Sequence, residues 1–145
     1  MAYTIVKSDD VWVSPIKDRP GALGDAMTTL AEAGVNLEFV LARRAPDKPG
    51  KGVVFAAPIK GAKQCAAAKK AGFHKSKSIK ALRIDGPDKP GLGATITSAL
   101  GEEGINLRGL SAVSIGKKCA INIAVDTPGC STRAVHVIKK VLKIK

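Results

Sequence analysis

Aromatic residues are scarce in this 145-residue sequence, which holds one Trp, one Tyr and three Phe. Proteins that bind single-stranded nucleic acid use aromatic side chains as stacking platforms for the bases. Trp12 and Phe55 alone make a poor platform, and we expect both to lie in the core. The shortage therefore weighs against this type of nucleic-acid-binding protein.

Cysteine and histidine are also few, and none stands at the spacing of a catalytic or metal-binding motif. The three cysteines are Cys65, Cys119 and Cys130. They include no Cys-x-x-Cys pair, which predicts reduced thiols without a metal site. His74 and His136 stand alone, and Gly91-Leu92-Gly93 lacks the later glycine of a dinucleotide fingerprint. The sequence thus predicts a protein that is not an enzyme and needs no cofactor.

Acidic residues are outnumbered two to one. The 24 Lys and Arg face 12 Asp and Glu, which gives a net charge of +12. Such an excess favours an anionic partner such as nucleic acid. Residues 51–56 begin like the third-strand signature of an RNA-recognition motif, but Val53 stands where that signature has an aromatic residue. A basic RNA- or DNA-binding protein with a ferredoxin-like fold is therefore the alternative function.

Long apolar runs are absent. The longest, residues 53–59, has seven residues, and the amino terminus has no apolar core of signal-peptide length. These features predict a cytoplasmic protein without a membrane partner.

What the sequence does contain is an internal repeat. Asp18-Arg19-Pro20-Gly21 returns seventy residues later as Asp88-Lys89-Pro90-Gly91, and Gly-Val-Asn-Leu at 34–37 returns as Gly-Ile-Asn-Leu at 104–107. Residues 18–37 and 88–107 share eight identities in twenty without a gap. The chain is therefore predicted to be a duplication with modules at residues 1–72 and 73–145.

Apolar periodicity gives both modules the same order of elements. Strands are predicted at 3–7, 11–16, 35–42, 52–59, 73–78, 80–85, 105–115 and 118–125, and helices at 18–34, 60–71, 91–103 and 131–142. Asp18 is the predicted N-cap of the first helix, with Pro20 in its first turn. The order predicts an α+β fold of two ferredoxin-like modules, each with two helices on one face of an antiparallel sheet.

Each predicted module has the order β-α-β-β-α plus one extra strand. Residues 143–145 leave little chain for a final strand after the last predicted helix. We predict that residues 3–7 supply the missing edge strand of one module, with the second module as a candidate. A disordered tail at these residues is the alternative.

The repeated turn is suited to holding a small anion. Its glycine lets a ligand approach the backbone, and the first N–H groups of the helix point outward and favour a carboxylate. The asparagine two residues after the helix-ending glycine adds a donor and an acceptor. A turn without a ligand is the alternative, since residues 47–50 repeat the Asp-x-Pro-Gly pattern but run into a strand.

The full pattern of strand, Asp-x-Pro-Gly, apolar helix, Gly-Val/Ile-Asn and strand, present twice, resembles the ACT domain, a small module that binds amino acids. The resemblance implies a βαββαβ fold whose modules lie side by side in an eight-stranded sheet. It also implies effector pockets at the seam, between the strand-helix turn of one module and the second strand of its neighbour. The implied ligand-binding residues are Asp18, Gly21, Ala22, Leu23 and Asn36, together with Asp88, Gly91, Leu92, Gly93 and Asn106.

Two departures from the family pattern bear on function. ACT domains are commonly fused to the enzyme that they regulate, and this sequence shows none. The two turns also differ after the glycine, which leaves open whether both pockets are functional. The resemblance implies a regulatory protein that binds a free amino acid or similar metabolite between modules and modulates a partner in trans. The expected partner is another copy of the chain in a homo-oligomer, or a regulated enzyme or transcription factor.

Overall fold

The computed structural model describes residues 3–7 and 10–145, which form eight strands and four helices. The strands are β1 (Thr4–Lys7), β2 (Trp12–Lys17), β3 (Phe39–Arg44), β4 (Lys51–Ala57), β5 (His74–Lys75), β6 (Lys80–Pro87), β7 (Leu107–Ile115) and β8 (Lys118–Val125). The helices are α1 (Ala22–Glu32), α2 (Gly61–Lys70), α3 (Leu92–Glu102) and α4 (Pro128–Val141).

The chain divides into two compact units. The C-terminal unit contains the described part of Met1–Ser8 and Ser78–Lys145, and the N-terminal unit contains the described part of Asp9–Lys77. The sheet of the C-terminal unit has the order β1-β6-β8-β7, and that of the N-terminal unit has the order β3-β4-β2-β5. All neighbouring strands are antiparallel. The α+β fold with ferredoxin-like modules is confirmed.

The edge strand β1 belongs to the C-terminal unit, although it precedes the N-terminal unit in the chain. It pairs with β6, with Ile5 opposite Ile84. The Tyr3 hydroxyl donates a hydrogen bond to the Pro87 carbonyl at 3.0 Å, and Ile5 packs against the core. β1 thereby takes the position that β5 holds beside β2 in the other sheet.

Along the chain, the boundary between the units falls after Lys77 and not after residue 72. Residues 73–77 lie in the N-terminal unit, where His74 pairs with Val13 of β2. The strand expected at 73–78 is only two residues long. The Ser76 amide continues its register with a hydrogen bond to the Val11 carbonyl at 2.8 Å.

Glycines end α1 and α3 in the same way. Gly34 and Gly104 have positive φ, at 80° and 71°. In α1 the amide of Val35 bonds to the Leu30 carbonyl at 3.1 Å, and in α3 the amide of Ile105 bonds to the Leu100 carbonyl at 3.0 Å. This pattern is the Schellman motif. After it β3 begins at Phe39 instead of residue 35.

Each unit has its own apolar core between its helices and one face of its sheet. In the C-terminal unit the core side of β8 carries Cys119, Ile121, Ile123 and Val125, while the residues between them are less buried. In α1 the buried side chains are Ala22, Ala26 and Leu30, which recur every fourth residue. Leu23 is 37% exposed.

Candidate functional site

The repeated aspartates anchor their turns to the neighbouring hairpin. The Asp18 amide donates to the Gly50 carbonyl at 3.0 Å, and the Asp18 carboxylate lies 2.9 Å from Nε of Arg44. The Asp88 amide donates to the Lys117 carbonyl at 2.9 Å, and the Ser114 hydroxyl donates to the Asp88 carboxylate at 2.8 Å. Arg44 and Ser114 are seventy residues apart, so both copies use the same position to hold the aspartate.

Asp18 is consequently not the N-cap of α1, contrary to expectation. The cap is Gly21, with a φ of 88° and no side-chain hydrogen bond to the helix, and Pro20 lies outside the helix. Gly91 caps α3 in the same way, with a φ of 84°. A residue with a side chain is strained in this left-handed conformation, which is why the turn requires glycine.

Both helix starts leave backbone donors open. In α1 the amide of Ala22 bonds to the Arg19 carbonyl at 3.3 Å, and the amide of Asp25 bonds to the Gly21 carbonyl at 2.9 Å. Within the described residues, the amides of Leu23 and Gly24 have no such partner.

The same pattern returns in α3. Leu92 bonds to Lys89, and Thr95 bonds to Gly91, at 3.3 and 2.9 Å. Across the described part of the chain, the Gly93 and Ala94 amides are left open. Open amides at the positive end of a helix favour a bound anion.

Arg19 distinguishes the first turn from the second. Its guanidinium donates to the Pro20 carbonyl and to the Asp25 carboxylate, both at 3.0 Å, and it lies 3.5 Å from the point where a Cβ on Gly21 would be. At Gly91 no atom of the described chain lies within 4 Å of the corresponding point. The first turn is therefore covered by an arginine, whereas the second is open.

A cavity of about 200 Å³ lies beside the first turn, where α1 faces the end of β2 and the end of α2. Its lining residues are Ile16, Lys17, Arg19, Ala22, Asp25, Ala26, Thr29 and Ala71. The two buried alanines form an apolar surface, while two cations, one carboxylate and one hydroxyl surround it. Such a mixture of apolar wall and opposite charges suits a small zwitterion.

Large side chains replace the two alanines in the second copy. Leu92 and Ile96 stand seventy residues after Ala22 and Ala26, and both belong to the core of the C-terminal unit. Their side chains fill space that the alanines leave open. Leu92 can therefore offer a ligand only its backbone.

The asparagines do not meet the turn of their own unit. Asn36 and Asn106 are exposed and lie just after the Schellman motifs, at the carboxyl ends of α1 and α3. Glu38 donates its amide to the Ala57 carbonyl at 2.9 Å, whereas Asp18 bonds to Gly50. The seven residues of β4 that separate these contacts span about 20 Å. A turn and an asparagine of one unit therefore cannot hold one small ligand.

Sequence reasoning missed most of the side chains that line the cavity. Lys17, Arg19, Asp25 and Thr29 come from the end of a strand, a turn and successive turns of a helix. One signal was present, since Asp25 follows Gly21 at the spacing of one helical turn. No local pattern indicates that Ala71 closes the same cavity.

Two titratable groups beside the core, Cys119 and Tyr3, have raised pKa values. Burial raises the pKa of the Cys119 thiol, with the charges of Asp88 and Asp85 acting in the same direction, and burial likewise raises the pKa of the Tyr3 hydroxyl. A raised pKa keeps both groups protonated and unreactive at neutral pH. Among the described residues, no group of three or more His, Cys, Asp or Glu could hold a metal ion.

The aromatic side chains of Trp12 and Phe55 lie in different environments. Trp12 is 2% exposed and lies in the core, as expected. Phe55 is only partly buried, contrary to expectation, because it faces away from the helices; Val54 and Ala56 on either side of it point into the core. Arg43 lies over its ring, 5.9 Å from the ring centre.

Comparison with known families identifies the second half of the chain. Residues 80–144 match the sequence model of the ACT domain. An ACT domain is therefore present in the C-terminal unit. The curated proteins contain no significant match to the sequence. None of the helices in the described residues has the length and apolar character needed to cross a membrane.

Solved structures resemble the chain over nearly its whole length. Protein BT0572 from Bacteroides thetaiotaomicron matches with a TM-score of 0.74 and 15% identity, over 92% of this chain and 88% of its own. The regulatory subunit of aspartate kinase from Thermus thermophilus matches with 0.69 and 14%, over 97% of both chains. Aspartate kinase from Synechocystis matches with 0.69 and 18%, over 98% of this chain and 26% of its own. At these identities the likeness shows the fold, including that of the ACT domain.

Proposed function

We propose that this chain is a regulatory protein with two ACT modules and that it binds a free amino acid at the cavity beside Gly21. The observation that carries the proposal is the cavity itself, where an apolar floor meets two cations, a carboxylate and a helix start with open amides. The ACT domain at residues 80–144 and the repeat that extends its pattern to the N-terminal unit support the same function.

The ligand would lie with its carboxylate toward the helix and its ammonium toward Asp25. The amides of Leu23 and Gly24 and the guanidinium of Arg19 are donors for the carboxylate. Binding would exchange the Arg19 contact with Asp25, now 3.0 Å, for one contact of each side chain with the ligand. Arg19 and Asp25, which now bind each other, would thus bind the carboxylate and the ammonium of the ligand instead.

Asn36 and Asn106 enter this proposal as residues that complete a site from outside their own unit. Each lies at the far end of its helix, so it can reach only a turn that belongs to another module. We propose that copies of the chain assemble and that the asparagines then contact the ligand. Asp18 and Asp88 would support the turns, and Gly91 and Gly93 would allow a ligand to approach the backbone of the open second turn. At Gly21 the same approach requires the Arg19 guanidinium to move from the position in which it covers the turn.

A thermal-shift screen of the twenty amino acids tests the proposal. A ligand at one hundred times its Kd stabilises the folded form by about 2.7 kcal/mol, which raises the Tm of a domain of this size by several degrees. Asp25→Asn should abolish the shift, and Asp126→Asn, which changes an exposed carboxylate in the C-terminal unit, should preserve it. If no amino acid raises the Tm, the proposed function is wrong.

The effect on a partner would follow from the same binding step. We propose that the occupied cavity changes the activity of an enzyme or transcription factor that binds the chain. A ligand can affect such a partner only if its binding changes the shape or the order of the surface that the partner contacts. Thermus thermophilus aspartate kinase has a regulatory subunit of this fold, which supports a separate regulated enzyme. Electrophoretic-shift assays with RNA and DNA at increasing salt test the nucleic-acid alternative, since binding to phosphates falls steeply with salt.

A further inference from the structure

The sheet of the N-terminal unit has one face against its helices and a second face, here called the outer face, on the opposite side. On the outer face Phe55 of β4 lies opposite Val13 of β2 and Leu41 of β3. Phe39 and Arg43 stand two residues on either side of Leu41, so they share this face. None of these five residues is buried. The outer face therefore presents two aromatic rings, two aliphatic side chains and a guanidinium group.

The two rings lie on adjacent strands as diagonal neighbours, because Phe55 is opposite Leu41 and Phe39 is two residues before it. Diagonal neighbours are about 7–8 Å apart, which is within reach of aromatic side chains. The sequence suggested a stacking platform of Trp12 and Phe55, which would be a poor one. Trp12 lies in the core instead, and Phe39 provides the second ring on the face of Phe55.

Positive charge accompanies the rings. The four strands of this sheet hold five Lys and Arg residues and no Asp or Glu. Arg43 lies over the Phe55 ring, 5.9 Å from its centre, and donates to the Arg44 carbonyl at 3.2 Å. Lys51 stands four residues before Phe55 in the same strand, so it shares the outer face. Rings with cations beside them provide the two contacts that a nucleotide needs, stacking for the base and charge for the phosphate.

The corresponding face of the C-terminal sheet has no such combination. Asn122 lies opposite Arg83 there, as Phe55 lies opposite Val13, and Val13 is seventy residues before Arg83. The Arg83 guanidinium is bonded to the carboxylate of Asp85 on the same strand, at 2.9 Å. The combination of rings and cations is therefore a property of the side chains of the N-terminal unit, and the shared fold does not require it.

We infer that the outer face binds single-stranded nucleic acid, with a base stacked on Phe55 and the adjoining phosphate bound by Arg43. The base would take the place of the guanidinium over the ring, and the exposed Arg43 side chain would turn to the phosphate. A second copy of the chain suits this face less well. A symmetric contact would bring the Arg43 and Lys51 side chains of both copies together, and these strands hold no carboxylate to neutralise them.

This inference goes beyond the proposed function, because the amino-acid cavity lies where α1 faces the ends of β2 and α2. Phe39, Arg43 and Phe55 do not line that cavity. The two binding events can therefore be measured separately on the same chain.

Fluorescence anisotropy of labelled oligonucleotides tests the inference with the full chain. The probes are oligo(U) and oligo(dT) of about ten nucleotides, a length that one such platform can hold, and a duplex of the same length. The single strands should bind at least tenfold tighter than the duplex, because the bases of a duplex are stacked on one another. The comparison of oligo(U) with oligo(dT) shows whether RNA or DNA is preferred, and a preference for either supports the inference.

Three variants separate stacking from total charge. Phe55→Leu keeps an apolar side chain but removes the ring, and it should weaken single-strand binding roughly tenfold. Arg43→Gln should reduce the slope of log affinity against log salt by about 0.7, the contribution of one phosphate contact. Lys118→Gln is the control, because it removes an exposed charge at the start of β8, the strand that corresponds to β4, and should leave the affinity within about twofold.

The outcomes also separate this inference from the proposed function. Circular dichroism would confirm that Phe55→Leu is folded, and Phe39→Leu, on the edge strand, should weaken binding in the same direction. Absence of single-strand binding at low salt, or equal binding by a folded Phe55→Leu variant, overturns the inference. Self-association of the chain that Phe55→Leu abolishes, without oligonucleotide binding, would assign the face to a second copy and also overturn it. The thermal shift with amino acids should persist in Phe55→Leu, so the proposed function stands or falls independently.

Discussion

Replacing Ile5 by alanine should destabilise the C-terminal unit, although Ile5 precedes the whole N-terminal unit in the chain. Ile5 lies opposite Ile84 in the ladder between β1 and β6, and its side chain packs against the core of residues 78–145. β1 is an edge strand of four residues with β6 as its neighbour, and Ile5 and the adjacent Tyr3 are the side chains that pack it against the core. The substitution removes its main apolar contact without altering its backbone hydrogen bonds.

The expected loss follows from the partial burial of Ile5. A fully buried isoleucine costs about 2–5 kcal/mol when truncated to alanine, so a half-buried one should cost about 1–2 kcal/mol. In a domain of about 70 residues each kcal/mol lowers the Tm by about 4–8 °C, which gives a shift of about 4–16 °C. Val6→Ala is the matched control: Val6 is 36% exposed, and its replacement should cost about 0.5 kcal/mol at most.

Thermal unfolding followed by circular dichroism measures the loss, and hydrogen exchange locates it. In Ile5→Ala the amides of β6 should exchange faster, because some of them bond to β1, while those of β4 should keep their protection. The emission of Trp12, the one tryptophan of the chain, should stay that of a buried indole. Faster exchange in β4 with unchanged β6 would refute the assignment of β1 to the C-terminal unit.

Three further experiments test other contacts. Ala26→Ile copies the residue of the second repeat into the cavity, and it should abolish the amino-acid thermal shift while the protein stays folded, as circular dichroism would show. Gly86→Ala should lower the Tm because the new Cβ overlaps the ring of Tyr3, whereas Gly93→Ala, in open space on a helix, should raise the Tm slightly. Cys119 should resist alkylation at neutral pH and react only as the pH rises above the ordinary thiol range, because burial raises its pKa; mass spectrometry of the folded protein would show fast modification of Cys119 if this is wrong.

Stability should also change with pH through Cys119, and the sign follows from the direction of its pKa. The folded pKa lies above the unfolded one, so the stabilising contribution of the neutral thiol is complete below the ordinary thiol pKa. It is lost as the pH rises through the folded value. The loss therefore falls in the alkaline range and not near neutrality.

The elements of the fold could be predicted from the sequence because each signal is local. Gly34 and Gly104 end their helices through bonds to carbonyls three positions earlier, and the residues that follow them bond to carbonyls five positions earlier. The alternation of β8 is visible in its sequence. The start of α1 was predicted wrongly because Asp18 has the chemistry of a cap. A tertiary partner, Arg44, binds its carboxylate instead, and no local rule predicts that competition.

The cavity could not be predicted, because its walls come from segments that are far apart in the chain. Ile16 and Ala71 are separated by 55 residues and meet only after the sheet and both helices have formed. The asparagines show a different limit. Asn36 and Gly21 recur at a fixed spacing in both copies, but a helix of eleven residues lies between them. A spacing that recurs in both copies shows that the two positions were duplicated together. It does not show that they lie close together in space.

The two copies have kept the backbone of the turn and changed what surrounds it. Gly21 and Gly91 share the same φ and leave equivalent amides open, while Ala22 and Ala26 became, or came from, Leu92 and Ile96. Larger apolar side chains stabilise a core, and smaller ones leave room for a ligand, so one position cannot serve both purposes equally well. Under the proposed function, the duplication would allow the N-terminal unit to hold the ligand while the C-terminal unit contributes stability.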